Sequence, residues 1–181
     1  MEKQLLNNMT NFHIRSAAAT DVATIFDLIR QLSVYEKLEH MVSGNESMLR
    51  EALFGAKPTC ECVIAEEAGT PIGFALFFTT FSTFLCKPGL YLEDLFVIPA
   101  ARERGYGKAL LVHLAALARA RDCGRFEWRV LDWNTPSIDF YKSLGAAIMP
   151  EWHLARMTEV EIARLASSPS LFAQKITPHT P

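Results

Sequence analysis

The chain has 181 residues, 50% hydrophobic and 21% charged, which is enough apolar material for a full core in one domain and excludes disorder over most of its length. Eighteen basic against twenty acidic residues leave a net charge of −2, so no global positive field is available for nucleic acid or an anionic membrane. The longest apolar stretch, Ile72 to Cys86, is fifteen residues with four Ser or Thr, short of the ~20 needed to span a bilayer.

The first segment, 1–11, is polar and expected to fray, with no basic region followed by an apolar run that would mark a signal peptide. Phe12 to Arg15 alternates like a strand. Thr20-Asp21 offers an N-cap to a helix carrying Val22, Ile25, Phe26, Ile29 and Leu32 at helical spacing and ending near Leu38. Ser43 with Glu46 reads as a capping box opening a second helix through Met48, Leu49 and Leu53. Cys60–Glu66 and Pro71–Phe81 read as strands joined in a hairpin at Ala68-Gly69-Thr70, and Leu90–Val97 as another strand.

Ala109 to Ala120 predicts a helix opened by a glycine loop and closed at Gly124, followed by a strand at Arg125–Leu131. Pro136 to Leu144 predicts a short helix, with Pro near its start and Gly145 just past its end. A last strand is expected near Trp152–Met157, then a helix at Thr158–Ala166 whose Thr158 and Glu161 form a capping box. The domain is thus expected over 12–166, with a loose proline-bearing tail at 167–181. Strands interleaved with helices predict a mixed α/β sheet with helices on both faces.

The cysteines show no C-x₂-C pair, and His13, His40, His113, His153 and His179 show no ligand spacing, so no metal is expected. Reduced thiols fit a cytoplasmic protein.

The strongest local signal is Arg102-Glu103-Arg104-Gly105-Tyr106-Gly107-Lys108, which runs from a strand through a glycine pair into a helix. Glycines admit close backbone approach, and a helix start presents unpaired N–H groups at a positive dipole end, the geometry that suits a pyrophosphate. From Arg102 to Arg125 six basic residues face two acidic ones, so the local field is cationic. A Rossmann loop would need Gly where Leu110 stands, and a Walker loop would need Gly where Arg102 stands. A helix start that uses Gly only for packing is the alternative.

The R-x-x-G-x-G pattern resembles the acetyl-CoA loop of the GNAT N-acetyltransferases. Asn134 to Gly145 is similar to that family's N-x-x-A/S-x-x-F/Y-Y-x-x-x-G motif. With Tyr35-Glu36-Lys37-Leu38, Gly89 to Val97 and Glu151-Trp152, the chain resembles the spermidine/spermine (diamine) N-acetyltransferases and their thialysine-acetylating relatives, from about Ile14 to Leu165. The resemblance implies the GNAT fold, a mixed, mostly antiparallel twisted sheet flanked by helices. It implies backbone pairing of Leu95, Phe96 and Val97 with the pantetheine arm of acetyl-CoA. It also implies a pyrophosphate cradle from Arg102 to Lys108 and a second cofactor flank at Asn134, Thr135, Pro136 and Ser137, beside Tyr141. Tyr35, Glu36, Glu93, Asp94, Glu127, Trp128, Arg129 and Glu151 are the implied amine-facing positions. Pro150-Glu151-Trp152 stands where the family often reads E-G-W, which leaves the role of Glu151 open. A homodimer is implied as well, and the expected C-terminal strand would supply an open edge to pair.

The chemistry follows from elementary acid–base arguments. Acetyl transfer from a thioester needs a neutral amine, yet an alkyl amine of pKa about 10.4 is roughly one part in a thousand neutral near pH 7.4, a deficit of about 4 kcal/mol. Glu93 is the candidate base, working through a water, although Glu93-Asp94 also reads as an electrostatic binding pair. Tyr141 is the candidate acid for the departing thiolate, against its alternative as a packed aromatic. Glu36, Glu39, Glu93, Asp94, Glu127, Asp132 and Glu151 either form a solvated surface or converge as a sink for a cation with more than one amine. No His stands near a Cys in sequence, so direct attack by the amine is preferred. The expected activity is acetylation of a diamine or polyamine, with thialysine or another amino-acid side-chain amine as the alternative acceptor. A CoA-binding sensor without turnover is the alternative of another class.

Overall fold

Residues 11–168 are described by the computed structural model, and a five-stranded sheet in the order β1-β2-β3-β4-β5 organises the first part of them. The strands are β1 (Phe12–Ser16), β2 (Glu61–Glu67), β3 (Thr70–Ser82), β4 (Lys87–Val97) and β5 (Arg125–Trp128). The first four pair antiparallel and β5 runs parallel to β4, as expected for a mixed sheet that is mostly antiparallel. A two-residue turn joins β2 to β3. Ala68 and Gly69 both have positive φ there (51° and 76°), the backbone of the primed turns that match strand twist.

Helices α1 (Val22–Glu36) and α2 (Glu46–Phe54) cover one face of the sheet. Ile25, Leu28, Leu32 and Leu53 meet Cys62, Ile64, Phe74, Leu76 and Phe96 in one buried cluster. Helix α3 (Tyr106–Ala120) lies on the opposite face, burying Leu110, Leu111, Leu114 and Ala118. Arg15 of β1 ties the start of α1 to the sheet, donating to both oxygens of Asp21 (2.6 and 2.9 Å) and to Glu66 Oε1 on β2 (2.6 Å).

Several boundaries differ from the expectation. Asp21 precedes α1 but does not cap it, because its carboxylate is held by Arg15 and accepts from the Ala18 N–H. Asn45, not Ser43, caps α2, its Oδ1 accepting from the Met48 N–H at 3.0 Å, and this leaves Glu46 as the first helical residue. Strand β5 has four residues and stops at Trp128, not Leu131.

The described residues divide into two compact units between Arg129 and Val130, inside the stretch read from the sequence as one domain. The second unit holds α4 (Thr135–Ser143) and α5 (Glu159–Ala166). Asn134 caps α4, accepting from the Ser137 N–H, and Gly145 follows its end at φ +93°. Thr158 and Glu161 form the expected capping box on α5, with the Thr158 N–H donating to Glu161 Oε2 at 2.9 Å. The strand expected at Trp152–Met157 does not form. That segment carries no ladder partner among the described residues, and a strand exists only through its pairing. The terminal tails, apart from Asn11 and 167–168, lie outside the described residues. No helix among the described residues is long and apolar enough to cross a membrane.

Candidate active site

The site begins with an irregularity in β4. Leu76 pairs with Asp94 but Phe77 pairs with Leu92, so Glu93 is an inserted residue, a β-bulge. Paired residues share a face and alternate residues return to it, so Phe78, Tyr91, Leu76 and Asp94 all project from the α1 side. Tyr91 and Asp94 are three apart, and only the bulge lets them share that face.

The carboxyl of Asp94 is pushed up to about 7, first by burial and then by the neighbouring charges of Glu93 and Glu36. Burial likewise raises Glu36, the last residue of α1. The charges of Glu36 and Glu93 thus both reach the Asp94 carboxyl. Burial, followed by the Glu93 and Glu127 charges, also raises the Tyr91 hydroxyl against the pull of Arg129. Tyr91 stacks on Phe78 (centroids 5.0 Å), and the Arg129 guanidinium lies 5.6 Å from the Tyr91 ring. Glu127, paired in register with Tyr91, is bound by Arg125 at 2.7 Å.

Not every expected acceptor residue is on this face. Trp128 pairs with Leu92, and alternation along β5 turns it to the side opposite Glu127, where its ring meets Phe126 at 4.9 Å. Tyr35 lies beneath the guanidinium of Arg102, 4.4 Å from Cζ to centroid, and so meets the glycine loop. Glu151 stands exposed in the second unit. Phe78, Tyr91 and Arg125 were not among the sequence candidates.

The glycine loop opens α3 as expected. Gly105 is its N-cap at φ +85°, with no side chain capping the first N–H groups. A Cβ placed on Gly107 would meet only Leu95 Cδ2, at 3.9 Å, so open space lies over the helix start. Beyond Leu92, the β4 edge that faces β5 has no strand beside it among the described residues, since β5 ends at Trp128. Leu95, Phe96 and Val97 lie along that open stretch, which fits an extended ligand added as a strand.

The loop side chains are less free than the sequence suggested. Arg102 donates from Nε to the Val97 carbonyl at 3.0 Å and lies against Tyr35 and Phe96. Arg104 forms a two-pronged ion pair with Glu67, which also accepts from the Tyr106 hydroxyl at 2.6 Å. Tyr106 is buried against Phe12 (centroids 4.5 Å). Glu103 adopts φ +62°, and Lys108 projects exposed from the first turn of α3. Backbone N–H groups, not this set of arginines, are therefore the part of the loop shaped for an anion.

In the second unit Asn134 is buried, and Thr135, Pro136 and Ser137 form the first turn of α4. Tyr141 is half-buried on the same helix, its ring 5.6 Å from that of Phe140.

A short parallel strand, a bulged β4 and a glycine-opened helix are the frame of an acyl-transfer fold. The chain belongs to the acetyltransferase (GNAT) family, which matches residues 28–146. It is 34% identical to a thialysine N-epsilon-acetyltransferase of Sus scrofa, over 87% of this chain and 99% of that one. It is 32% identical to an L-ornithine N5-acetyltransferase of Arabidopsis thaliana, over 80% of this chain and 83% of that one. Among solved structures, an integron cassette protein from the mobile metagenome of V. cholerae superposes with a TM-score of 0.74 at 26% identity. It covers 87% of this chain and 99% of its own.

Proposed function

We propose that the protein transfers the acetyl group of acetyl-CoA to the terminal primary amine of a small cytoplasmic substrate that carries a second amino group. The observation that carries this reading is the acidic set Glu36, Glu93 and Asp94 at a bulge, on the strand that leads into an uncapped, glycine-opened helix start. The open backbone edge and the space over Gly107 fit the pantetheine and pyrophosphate of acetyl-CoA.

Chemically, the amine nitrogen attacks the thioester carbonyl, and the C–S bond breaks as the N–C bond forms. The amine proton leaves through water to Glu93, and Tyr141, assigned through the family resemblance, protonates the departing thiolate. The carboxylates hold the acceptor as a dication, and Glu93 then takes one of its protons through water to free the lone pair that attacks. A diamine or polyamine fits this charge. The ornithine- and thialysine-acetylating relatives support a diamino acid equally, since both acceptors carry two amines. We propose also that the chain works as a homodimer.

The test is thiol release from acetyl-CoA with a panel of diamines, polyamines, diamino acids and monoamines. Turnover confined to acceptors with two amines supports the reading. Acetyl-CoA binding without turnover on any amine would instead make the protein a CoA sensor.

A further inference from the structure

Resting on that reading, we infer that Arg129 receives a carboxylate of the acceptor, so that the preferred substrate is a small amino acid with an amine at the end of its side chain.

The face that carries Glu36, Glu93 and Asp94 is not uniformly acidic. At its β5 end the two arginines do different work. Arg125 is bound to Glu127 at 2.7 Å, and the two charges cancel. Arg129 makes no ion pair among the described residues. Its guanidinium instead lies against Tyr91 and hydrogen-bonds to that side chain, and the remaining donors of the planar fork suit a carboxylate. One end of the face is therefore net negative and the other net positive.

The spacing suits a zwitterion. Arg129, the residue after β5, and Glu93 of the β4 bulge both bear on Tyr91, the one from over its ring and the other from two positions along the strand. The two side chains do not pair. Arg129 turns back over Tyr91, while Glu93 bears on both Asp94 and Tyr91. The stacked Phe78–Tyr91 pair lies on the same face and offers an apolar floor for a short methylene chain. A terminal ammonium at Glu93 and Asp94, methylenes over Tyr91 and a carboxylate at Arg129 would use every part of this face. A diamine of the same length leaves Arg129 without a partner, next to the substrate's second cation.

Ornithine and putrescine differ only by the carboxylate, as do lysine and cadaverine. The experiment is initial-rate kinetics on these four amines with saturating acetyl-CoA, for the wild-type chain, Arg129→Gln and Arg129→Lys. The expected wild-type kcat/KM favours each amino acid over its diamine by about tenfold or more. Arg129→Gln should lower that preference by about ten- to hundredfold, mainly through the amino acid's KM, as expected for loss of a charged hydrogen-bonded pair. Arg129→Lys, which keeps the charge but not the fork, should fall between. A wild-type enzyme that prefers the diamines, or an Arg129→Gln variant that weakens both members of each pair equally, would overturn the assignment while leaving acetyl transfer intact. Absence of turnover on all four would overturn the acetyl-transfer reading and this assignment together.

Discussion

Asp94 is the residue whose chemistry departs most from its ordinary value. Its carboxyl is held near 7 in the fold against 3.8 for a free side chain, because burial and two neighbouring carboxylates all oppose its charge. Between those two pH values the folded chain holds a proton that the unfolded chain has lost. Stability from this group therefore falls as pH rises from about 4 to 7, and levels off above. Activity should run the other way, since only the carboxylate attracts an ammonium. In Asp94→Asn, thermal melts should show the variant gaining on wild type as pH rises through that window, while the activity limb near 7 disappears. A stability difference that is flat with pH would place Asp94 back at its ordinary value. Tyr141 makes a separate prediction. Tyr141→Phe should keep the melting temperature and lower kcat by about 10²–10⁴, read under saturating substrate. A kcat near wild type would mean that solvent protonates the thiolate.

At the scale of elements, two glycines separate packing from ligand approach. A Cβ on Gly73 of β3 would stand 2.5 Å from the Phe96 carbonyl, so Gly73→Ala forces β3 and β4 apart and should lower the melting temperature sharply. A Cβ on Gly107 meets nothing closer than 3.9 Å. Gly107→Ala should therefore melt at or slightly above wild type, since Ala favours helix by about 0.5–1 kcal/mol over Gly in a helix interior. Its melting temperature should rise less than that of wild type on adding acetyl-CoA, because the ligand's approach is what the methyl group blocks. An unchanged acetyl-CoA shift in Gly107→Ala would remove the helix start from the cofactor site. Such a loop was legible in sequence because its glycines act locally. So were the Ala68-Gly69 turn, the Thr158–Glu161 box and the period of α1, each set by residues within a few positions. The bulge at Glu93 was not legible, since it exists only in register with Leu76 and Phe77. The opposite facing of Glu127 and Trp128 follows from strand alternation alone, but which of the two shares the face of Tyr91 depends on how β5 pairs with β4. The commitment of Arg104 to Glu67, 37 positions away, was likewise hidden.

For the whole molecule, the question is what the chain does with its unpaired apolar segment. Strand β5 ends the sheet order, so one of its edges has no strand partner among the described residues. In the second unit, 152–157 lies outside helix and strand and carries Trp152, Leu154 and Met157, each more than half exposed (72%, 54% and 54%). Helix α5 adds Val160 and Ile162, exposed by 73% and 57%. Open edges and contiguous apolar surface are liabilities in a lone chain. Pairing about a two-fold axis covers the same surface on both copies and leaves nothing to grow from. The proposed homodimer predicts sedimentation at micromolar concentration with about twice the 20.3 kDa of one chain. Trp152→Glu places a charge in the apolar segment without touching the sheet core, and should shift the population toward monomer. If the partner completes the acceptor site, turnover per chain in Trp152→Glu should fall on dilution in step with the loss of dimer. A wild-type chain that sediments as a monomer with full turnover removes the dimer and any contribution of a second copy to the site.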